Sequence, residues 1–501
     1  HDLFAGFSQR GGLPRCLGGF LDLVFDRSTG VLLDDPNIDA ILAVRQATRL
    51  FGKTLKPVND LRTRAAMRRF VECEQEVRQA DQLLSLDTAE AFERIGALLW
   101  YDVMYALDSA IYHGELIPKH GSGATADKLR GNSKFAQSEW TTRLERVFPA
   151  RENLVPNDGV RHQERLNRVN FLEPGEERPV RVIPVPKTLK TPRIIAIEPT
   201  CMQYTQQAIH ERLVEEIADD KLMSAIVGFR DQVPNQLLAR EGSRTGELAT
   251  LDLSEASDRV SNQHVRLLTR RNRLFAQALD ATRSRKADVL GHGVVRLAKF
   301  ASMGSATTFP MEAMVFATVV FLGIERQLKT QLTRKIVQSL SSQVRIYGDD
   351  IVVPAEYAES VVSALEDFGL RVNTGKSFWT GKFRESCGKE YYDGFDISIV
   401  KVRRDLPSQP KRTLPSHHTR EGREKRTEWT EQIVSTVSLM NQMYFAGLWK
   451  TARMLEEHLE RVCKIPLPEV LPESAVLGKH SFTGYYATQK LCPDLHVPLV
   501  K

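Results

Sequence analysis

The segment between Val344 and Val353 constrains the fold of this chain more than any other stretch. Apolar and polar residues alternate up to Gly348 and a second apolar run follows, which predicts a strand, a tight turn and a strand. Glycine suits the turn because it adopts a positive φ without a Cβ clash. Asp349 and Asp350 come next, and adjacent carboxylates between apolar strands are unfavourable unless a cation or solvent compensates them. Mg²⁺ prefers such oxygen ligands, although a metal-free polar hairpin tip also fits the pattern.

Length and composition are those of an ordinary globular protein. The chain has 501 residues, of which 42% are hydrophobic and 26% charged, and this length allows about three domains. The net charge of +6 is compatible with binding to nucleic acid but supports it only weakly. The six cysteines form no CxxC pair, which argues against a zinc site or a disulfide framework. The apolar stretch 309–324 contains a glutamate and is too short to span a membrane, so we expect a buried helix there.

A second acidic stretch lies at residues 248–260. Residues 248–253 predict a buried strand with Asp252 near its end, and a carboxylate inside an apolar run needs a partner. Asp258 follows shortly after the strand. We then expect one helix with Val265 and Leu279 on its apolar face and several arginines on the other face. The basic face could lie on RNA, but charged helix faces are usually only solvated.

Two further segments have the composition of ligand-binding loops. Residues 180–197 predict two strands joined by a basic turn that carries Lys187, Lys190 and Arg193. Such cations suit a polyphosphate, and a solvated charged hairpin explains them equally well. The small residues of 300–312 run into the apolar helix and offer hydroxyls and close backbone approach to a sugar or a template strand.

The three aspartates suggest a common chemistry if the fold brings them together. Placed side by side in one sheet, Asp252, Asp349 and Asp350 could hold two Mg²⁺ ions about 3.5–4 Å apart. Two ions at that spacing suit in-line phosphoryl transfer, because one activates the attacking hydroxyl and the other neutralises the leaving pyrophosphate.

At this point the sequence resembles a known family, the RNA-dependent RNA polymerases (replicase beta subunits) of single-stranded RNA bacteriophages of the levivirus type. The stretches that carry the resemblance follow the family's order and cover about residues 120–400: HGSGATADKLRGN, VPKTLKTPRIIAIEP, DLSEASD, SMGSATTF, YGDD, GLRVNTGKSF and FRESCGKEYYDGFDI. YGDD alone is moderately specific, whereas FRESCGK and the two stretches before SMGSATTF are much more specific.

The resemblance implies an α+β fold of the right-hand palm type. Residues 1–245 would form mostly helical fingers, with the basic hairpin near 180–198. Residues 246–400 would form the palm with the carboxylates, and residues 401–501 the thumb and a C-terminal tail.

The resemblance also assigns roles residue by residue. The metal ligands and catalytic carboxylates would be Asp252, Asp349 and Asp350, with Lys376 as the general acid for pyrophosphate. The nucleotide-binding residues would be Lys187, Lys190, Arg193, Asp258, Ser305 and Thr308, of which the last three resemble sensors of the ribose 2′-hydroxyl. The RNA-binding residues would be Gly304, Arg384 and Lys389. Many polymerases of the wider class have asparagine where this chain has Glu312, so the role of Glu312 is left open.

The implied reaction is template-directed synthesis of RNA with Mg²⁺, for which Mn²⁺ can substitute. The implied partners are RNA template and product, ribonucleoside triphosphates, and the host elongation factors Tu and Ts with a ribosomal protein, in the cytoplasm of a bacterial host and without a membrane. A reverse transcriptase and a non-catalytic RNA-binding protein are the alternatives. The Ser257 and Asp258 region suits ribonucleotides, and unpaired carboxylates repel RNA unless a metal is bound.

Overall fold

The structure is a computed structural model that describes residues 7–154, 162–188, 191–464, 467–482, 489–494 and 497–500. Its helices in chain order are α1 (Gly18–Leu21), α2 (Ile38–Arg49), α3 (Asp60–Leu83), α4 (Leu86–Tyr112), α5 (Thr142–Glu145), α6 (Ala150–Asn153), α7 (His162–Leu166), α8 (Thr200–Asp219), α9 (Met223–Ile226), α10 (Val233–Thr245), α11 (Ala256–Arg259), α12 (Asn262–Leu268), α13 (Arg273–Thr282), α14 (Thr308–Leu328), α15 (Arg334–Leu340), α16 (Ala358–Asp367), α17 (Arg420–Phe445) and α18 (Trp449–Cys463).

The strands are shorter than the helices and lie mainly between residues 170 and 396. They are β1 (Gln9–Arg10), β2 (Leu13–Pro14), β3 (Glu139–Thr141), β4 (Asn170–Leu172), β5 (Val180–Val185), β6 (Arg193–Ile197), β7 (Leu248–Ser254), β8 (Lys286–Val289), β9 (Gly293–Arg296), β10 (Arg345–Tyr347), β11 (Asp350–Pro354), β12 (Arg371–Val372), β13 (Phe383–Ser386), β14 (Lys389–Tyr392), β15 (Phe395–Asp396), β16 (Gln489–Leu491) and β17 (Pro498–Val500). The predicted α+β fold class is therefore confirmed.

The chain divides into two compact units. The large unit comprises Asp60–Val185 and Pro192–Ile397, and the small unit comprises His1–Asn59, Pro186–Thr191 and Ser398–Lys501. The N-terminal residues thus group with the C-terminal ones, and not with most of the other residues assigned to the fingers. The assignment of fingers, palm and thumb stays a prediction.

An antiparallel sheet of four strands, in the order β10-β11-β7-β12, lies at the centre of the large unit. The apolar runs of β7 and β11 are buried almost throughout, as expected for central strands packed on both faces. Helices α14 and α16 pack against each other beside this sheet and share its hydrophobic core. The predicted strand, turn and strand around Gly348 are confirmed, with Arg345 paired to Val352 and Tyr347 to Asp350.

Helix α14 is the buried helix predicted for residues 309–324. Its length and composition would also allow a membrane span, and 89% of the relevant window is buried inside the protein. A helix that is apolar on all sides requires apolar neighbours on all sides, which α4, α12 and α16 provide here. Pro310 lies in the first turn, where its missing N–H leaves no hydrogen bond unmade.

The single helix predicted after Asp258 is wrong, because the structure has two. Helix α12 ends at Leu268, and α13 begins at Arg273. The side chain of Asp108 accepts a hydrogen bond from the Phe275 backbone N–H at 2.7 Å. This bond satisfies a donor in the first turn of α13, and thus stabilises a new helix start that the local sequence does not announce.

Hydrogen bonds between its N-terminal and C-terminal segments hold the small unit together. The Gln46 amide in α2 both donates to the Val400 carbonyl and accepts from the Val400 N–H, each at 2.9 Å. The Val402 N–H donates to the Leu50 carbonyl at 2.8 Å. Helices α17 and α18 pack together in this unit and supply most of its apolar core.

Candidate active site

The three aspartates meet at one end of the central sheet of the large unit. Asp252 on β7 and Asp350 on β11 are direct partners in the antiparallel register, so their side chains lie next to each other on one face. Asp349 precedes Asp350 in the turn and is exposed. Gly348 makes the turn possible, because its φ is +59° and a Cβ there would lie 2.5 Å from the ring of Phe309.

The Asp252 carboxylate is contacted by Asn373 and Lys376, which both lie in the segment that follows β12. The Asn373 amide donates to Asp252 Oδ2 at 2.9 Å, and Lys376 Nζ lies 3.1 Å from Asp252 Oδ1. The backbone N–H of Asp252 in turn donates to the hydroxyl of Ser377 at 3.1 Å. The segment GLRVNTGKSF therefore meets the end of β7, and the structure places Lys376 beside a predicted metal ligand.

Asp350 is held by the turn of the hairpin formed by β13 and β14. Its Oδ1 accepts hydrogen bonds from the Cys387 N–H at 2.9 Å and from the Ser386 hydroxyl at 3.3 Å. Burial raises the pKa of Asp350 to about 6, and the negative charges of Asp349 and Asp252 add to this effect while the Cys387 bond opposes it. Burial, together with repulsion within the trio, thus already favours a proton, or a cation, at this position.

The aspartates have the chemistry of a magnesium site without forming a closed cage. Carboxylate oxygens are the ligands that Mg²⁺ takes in proteins, so Asp252, Asp349 and Asp350 are the residues that could hold it. In the part of the chain that the structure describes, no three His, Cys, Asp or Glu side chains converge in ligating geometry. The assignment of metal ligands stays a prediction that the sheet register supports.

Asp258 takes part in a buried ionic cluster that the sequence did not reveal. Lys299 Nζ lies 2.9 Å from Asp258 Oδ1 and 3.0 Å from Glu74 Oε1, and it sits 3.6 Å from the centre of the Phe70 ring. The lysine is fully buried. Burial raises the pKa of Asp258 to about 7, with the negative charge of Glu255 adding to this effect, and burial lowers the pKa of Lys299 to about 7. The sequence feature that could have indicated a buried lysine is its position between apolar residues in the stretch RLAKFA.

The small-residue loop packs closely against β6. Gly304 has a φ of +128°, and a Cβ there would lie 2.1 Å from the Ala196 carbonyl oxygen. The structure therefore gives Gly304 a packing role, and its contact with RNA stays a prediction. The Ser305 hydroxyl lies 3.1 Å from the Thr307 hydroxyl, and Thr308 donates to the Ser302 carbonyl at 2.9 Å. Ser305 and Thr308 are both buried, and the contact of their hydroxyls with a ribose also stays a prediction.

Glu312 lies close to the aspartate turn. Its Oε2 accepts a hydrogen bond from the Ser257 hydroxyl at 2.6 Å, and a Cβ on Gly348 would lie 3.5 Å from its Oε1. Burial raises the pKa of Glu312 to about 8, with the negative charges of Asp349 and Asp258 adding to this effect and the Ser257 bond opposing it. Glu312 thus bonds to the segment that carries Asp258 and lies close to the aspartate turn, in surroundings that favour its protonated form.

Glu312→Gln should flatten part of the pH dependence of stability. Between the ordinary pKa of 4.5 and about 8, the folded state binds a proton at Glu312 that the unfolded chain has lost. The free energy of unfolding therefore falls as pH rises through this window, by up to about 1.4 kcal/mol per pH unit from this group. Urea denaturation without divalent metal, between about pH 5 and pH 8, measures the slope. The exposed Glu359→Gln is the control, and equal slopes for wild type and Glu312→Gln would contradict the assigned environment.

The basic hairpin is present, and the structure describes two of its three predicted phosphate-binding cations. Strands β5 and β6 form the predicted antiparallel pair, in which Arg193 faces Val185 and is exposed. Lys187 follows β5 and belongs to the small unit. Lys190 lies outside the described residues. Binding of a triphosphate by these residues stays a prediction.

Arg384 requires a correction. It was predicted to bind RNA, but it is fully buried. Its guanidinium donates to the carbonyl oxygens of Leu248, Phe383, Gly381 and Thr380 at 2.6–3.2 Å. Arg384 therefore joins the β13–β14 hairpin to the start of β7 and is out of reach of RNA. Lys389 is half-buried and donates to Asp396 at 2.7 Å, and its RNA contact remains a prediction.

Comparison with known proteins places these residues in a family context. Residues 173–414 match the family model described as RNA replicase, beta-chain, and this range contains all three aspartates. The resemblance to the RNA replicase beta chains is confirmed. We call residues 173–414 the replicase segment.

Individual relatives agree with the family match. The RNA-directed RNA polymerase subunit beta of Qbeta virus (strain MX1) is 34% identical over 231 residues, which are 46% of this chain and 36% of that protein. The RNA-directed RNA polymerase beta chain of Escherichia phage MS2 is 33% identical over 278 residues, 54% of this chain and 46% of that protein. The matched part of the chain thus spans about a third to a half of the length of these curated relatives.

Solved structures of lower similarity include the RNA-dependent RNA polymerase of a human picorbirnavirus. Its insertion-loop deletion mutant matches with a TM-score of 0.38 and 10% identity over 57% of this chain and 58% of that chain. The polymerase without the deletion matches with a TM-score of 0.36 and 11% identity over 57% of this chain and 56% of that chain.

Proposed function

We propose that this chain is the catalytic part of a viral RNA-dependent RNA polymerase. It adds ribonucleoside monophosphates to an RNA 3′-hydroxyl under the direction of an RNA template and releases pyrophosphate. The observation that carries the proposal is the pairing of Asp252 with Asp350 in the central sheet, with Asp349 beside them, inside the replicase segment.

Asp252, Asp349 and Asp350 would hold Mg²⁺, or Mn²⁺ in its place. When bound, such ions supply Lewis-acid chemistry that favours ionisation of the attacking hydroxyl and neutralises the leaving pyrophosphate. The raised pKa of Asp350 supports the proposal, because a site that disfavours a third negative charge gains most from a cation.

Other residues of the large unit would bind and orient the nucleotide. Lys376 carries an ammonium beside Asp252, where it could give a proton to the departing pyrophosphate. Asp258 is held by Lys299, and with Ser305 and Thr308 it would read the 2′-hydroxyl of the incoming ribose. The exposed Arg193 would contact the triphosphate, since guanidinium groups match phosphate oxygens in pairs.

The choice of nucleotide tests this proposal against a reverse transcriptase. The purified chain is offered an RNA primer and an RNA template, with either ribonucleoside or deoxyribonucleoside triphosphates and Mg²⁺. We expect extension with ribonucleotides and strong discrimination against deoxyribonucleotides. Preferential use of deoxyribonucleotides would replace the proposal by reverse transcription, and RNA binding without any extension in bacterial extract would favour a non-catalytic RNA-binding protein.

Lys187→Ala should raise the apparent KM for nucleotide by about tenfold with a smaller effect on kcat. The reason is that an ammonium that contacts the triphosphate adds a charge-assisted hydrogen bond of about 1.5–3 kcal/mol to binding. Steady-state extension assays at varied nucleotide concentration measure both constants. Lys335→Ala on α15, an exposed lysine, is the matched control. An unchanged KM would indicate that the basic turn is a solvated loop that does not contact the triphosphate.

The replicase resemblance also leads us to propose partners and a location. Host elongation factors Tu and Ts and a ribosomal protein would assemble with the chain in the bacterial cytoplasm. Purification of the tagged chain from a bacterial host tests this, because specific partners should remain bound in stoichiometric amounts during gel filtration. Elution of the chain by itself would remove this part of the proposal and leave the catalytic part standing.

A further inference from the structure

A basic cleft lies on the large unit outside the aspartate site. One cavity of about 690 Å³ is bordered by α5, α12 and α13, and a second cavity of about 260 Å³ adjoins it. The two share the side chains of Asn262, Arg266 and Arg285, so we treat them as one feature and call it the basic cleft.

Several of its arginines lack a carboxylate partner. Arg146, Arg266 and Arg273 line the larger cavity and are exposed. Within the described part of the chain, none of the three forms an ion pair. Arg270 and Arg285 also line the cleft but are paired, with Glu93 and Asp280. The exposed Glu173 also lines the larger cavity, and Asp81 lines the smaller one. Guanidinium groups outnumber carboxylates in both linings, so the local electrostatic potential is positive.

The lining indicates what kind of anion would fit. Guanidinium forks match phosphate oxygens in pairs, and amides such as Asn262 and Gln277 can bond to phosphate or sugar oxygens. Among the described residues that line the cleft, the aromatic side chain is that of Phe300, which is buried and cannot stack on a base. A surface with many phosphate partners and no stacking platform suits a nucleic-acid backbone and gives no means to read bases.

We propose that the basic cleft binds the phosphate backbone of single-stranded RNA without sequence preference. The inference rests on the proposed function for the identity of the polyanion, but it concerns a different site. Asp252, Asp349 and Asp350 do not line the cleft. The arginines would hold template or product away from the aspartates, so the cleft would contribute to affinity for long RNA.

The test measures binding of a labelled single-stranded RNA of mixed sequence by fluorescence anisotropy. The measurements are made without nucleotide or Mg²⁺ over a series of salt concentrations. We expect Arg266→Ala/Arg273→Ala to weaken binding by at least about tenfold at low salt. The slope of log K against log salt should fall by about 1.4 in magnitude, because each lost phosphate contact on a single strand removes about 0.7. Arg266→Lys/Arg273→Lys should retain most of the slope, since the charges remain.

Arg271→Ala is the matched control, because Arg271 lies between α12 and α13 but pairs with Glu93 and does not line the cleft. It should leave affinity and slope unchanged, and thermal unfolding should show that all variants are folded. Unchanged RNA affinity in Arg266→Ala/Arg273→Ala would overturn the inference and leave an acidic protein surface as the partner. Asp349→Asn should bind as wild type does, so a failure of the polymerase proposal and a failure of the cleft can be told apart.

Discussion

Asp349→Asn should abolish nucleotide addition, by at least about a thousandfold, while RNA binding persists. The substitution keeps the size of the side chain but removes one negative charge from the aspartate site. Asp349 is exposed, so its replacement leaves the core intact. Single-nucleotide addition to an RNA primer and template with Mg²⁺ gives the rate, and anisotropy gives the affinity for RNA.

Asp367→Asn on α16 is the matched control, because Asp367 is also a surface carboxylate, lies outside the aspartate turn and pairs with Arg326. It should extend the primer at the wild-type rate. Extension by Asp349→Asn at a comparable rate would remove Asp349 from the metal ligands. It would also leave the turn around Gly348 as an ordinary polar hairpin tip.

Lys299→Met should destabilise the large unit by about 3–5 kcal/mol. Methionine fills similar space, but it leaves the carboxylates of Glu74 and Asp258 without their shared cation. Glu74 is almost fully buried, and its Oε2 also accepts the Ala298 N–H at 2.5 Å. An unpaired buried charge costs far more than the ion pair contributes, so the loss should be severe. Urea denaturation measures the free energy of unfolding.

Two further variants separate this charge effect from lost packing. Lys299→Met/Glu74→Gln should regain part of the lost stability, because one of the two uncompensated charges is removed as well. Lys382→Met breaks the pair with Asp393, which is partly exposed, and should cost at most about 1 kcal/mol. If Lys299→Met unfolded at the same urea concentration as wild type, the stabilising role assigned to Lys299 in the buried cluster would be contradicted.

The aspartate turn could be predicted from sequence because its determinants are local. Alternating residues, a glycine and two acids within a few positions specify strand, turn and strand, and the structure has them at β10 and β11. The pairing of Asp252 with Asp350 is different, because it joins distant strands. Neither strand specifies its neighbour by itself, and only the family resemblance suggested that the two would meet.

The wrong predictions, and the ionic cluster that was missed, concern places where tertiary contacts determine the structure. The RNA-binding role of Arg384 came from the family resemblance, and the sequence does not show that the Leu248 carbonyl on β7 accepts a hydrogen bond from its guanidinium. The break between α12 and α13 depends on Asp108, a residue of α4. Lys299 becomes interpretable only when α3 brings Glu74 to it. The helix break and the lysine cluster each need a partner that is distant in sequence, which the periodicity of apolar residues does not show.

The most direct test of the central claim is the sequence of the RNA that the purified chain makes. The chain is supplied with a defined RNA template, the four ribonucleoside triphosphates and Mg²⁺, by itself and with bacterial extract, and the labelled product is sequenced. The account predicts a product complementary to the supplied template that is absent without Mg²⁺ and absent in Asp349→Asn. A product whose sequence ignores the template, or one that Asp349→Asn still makes, would contradict it.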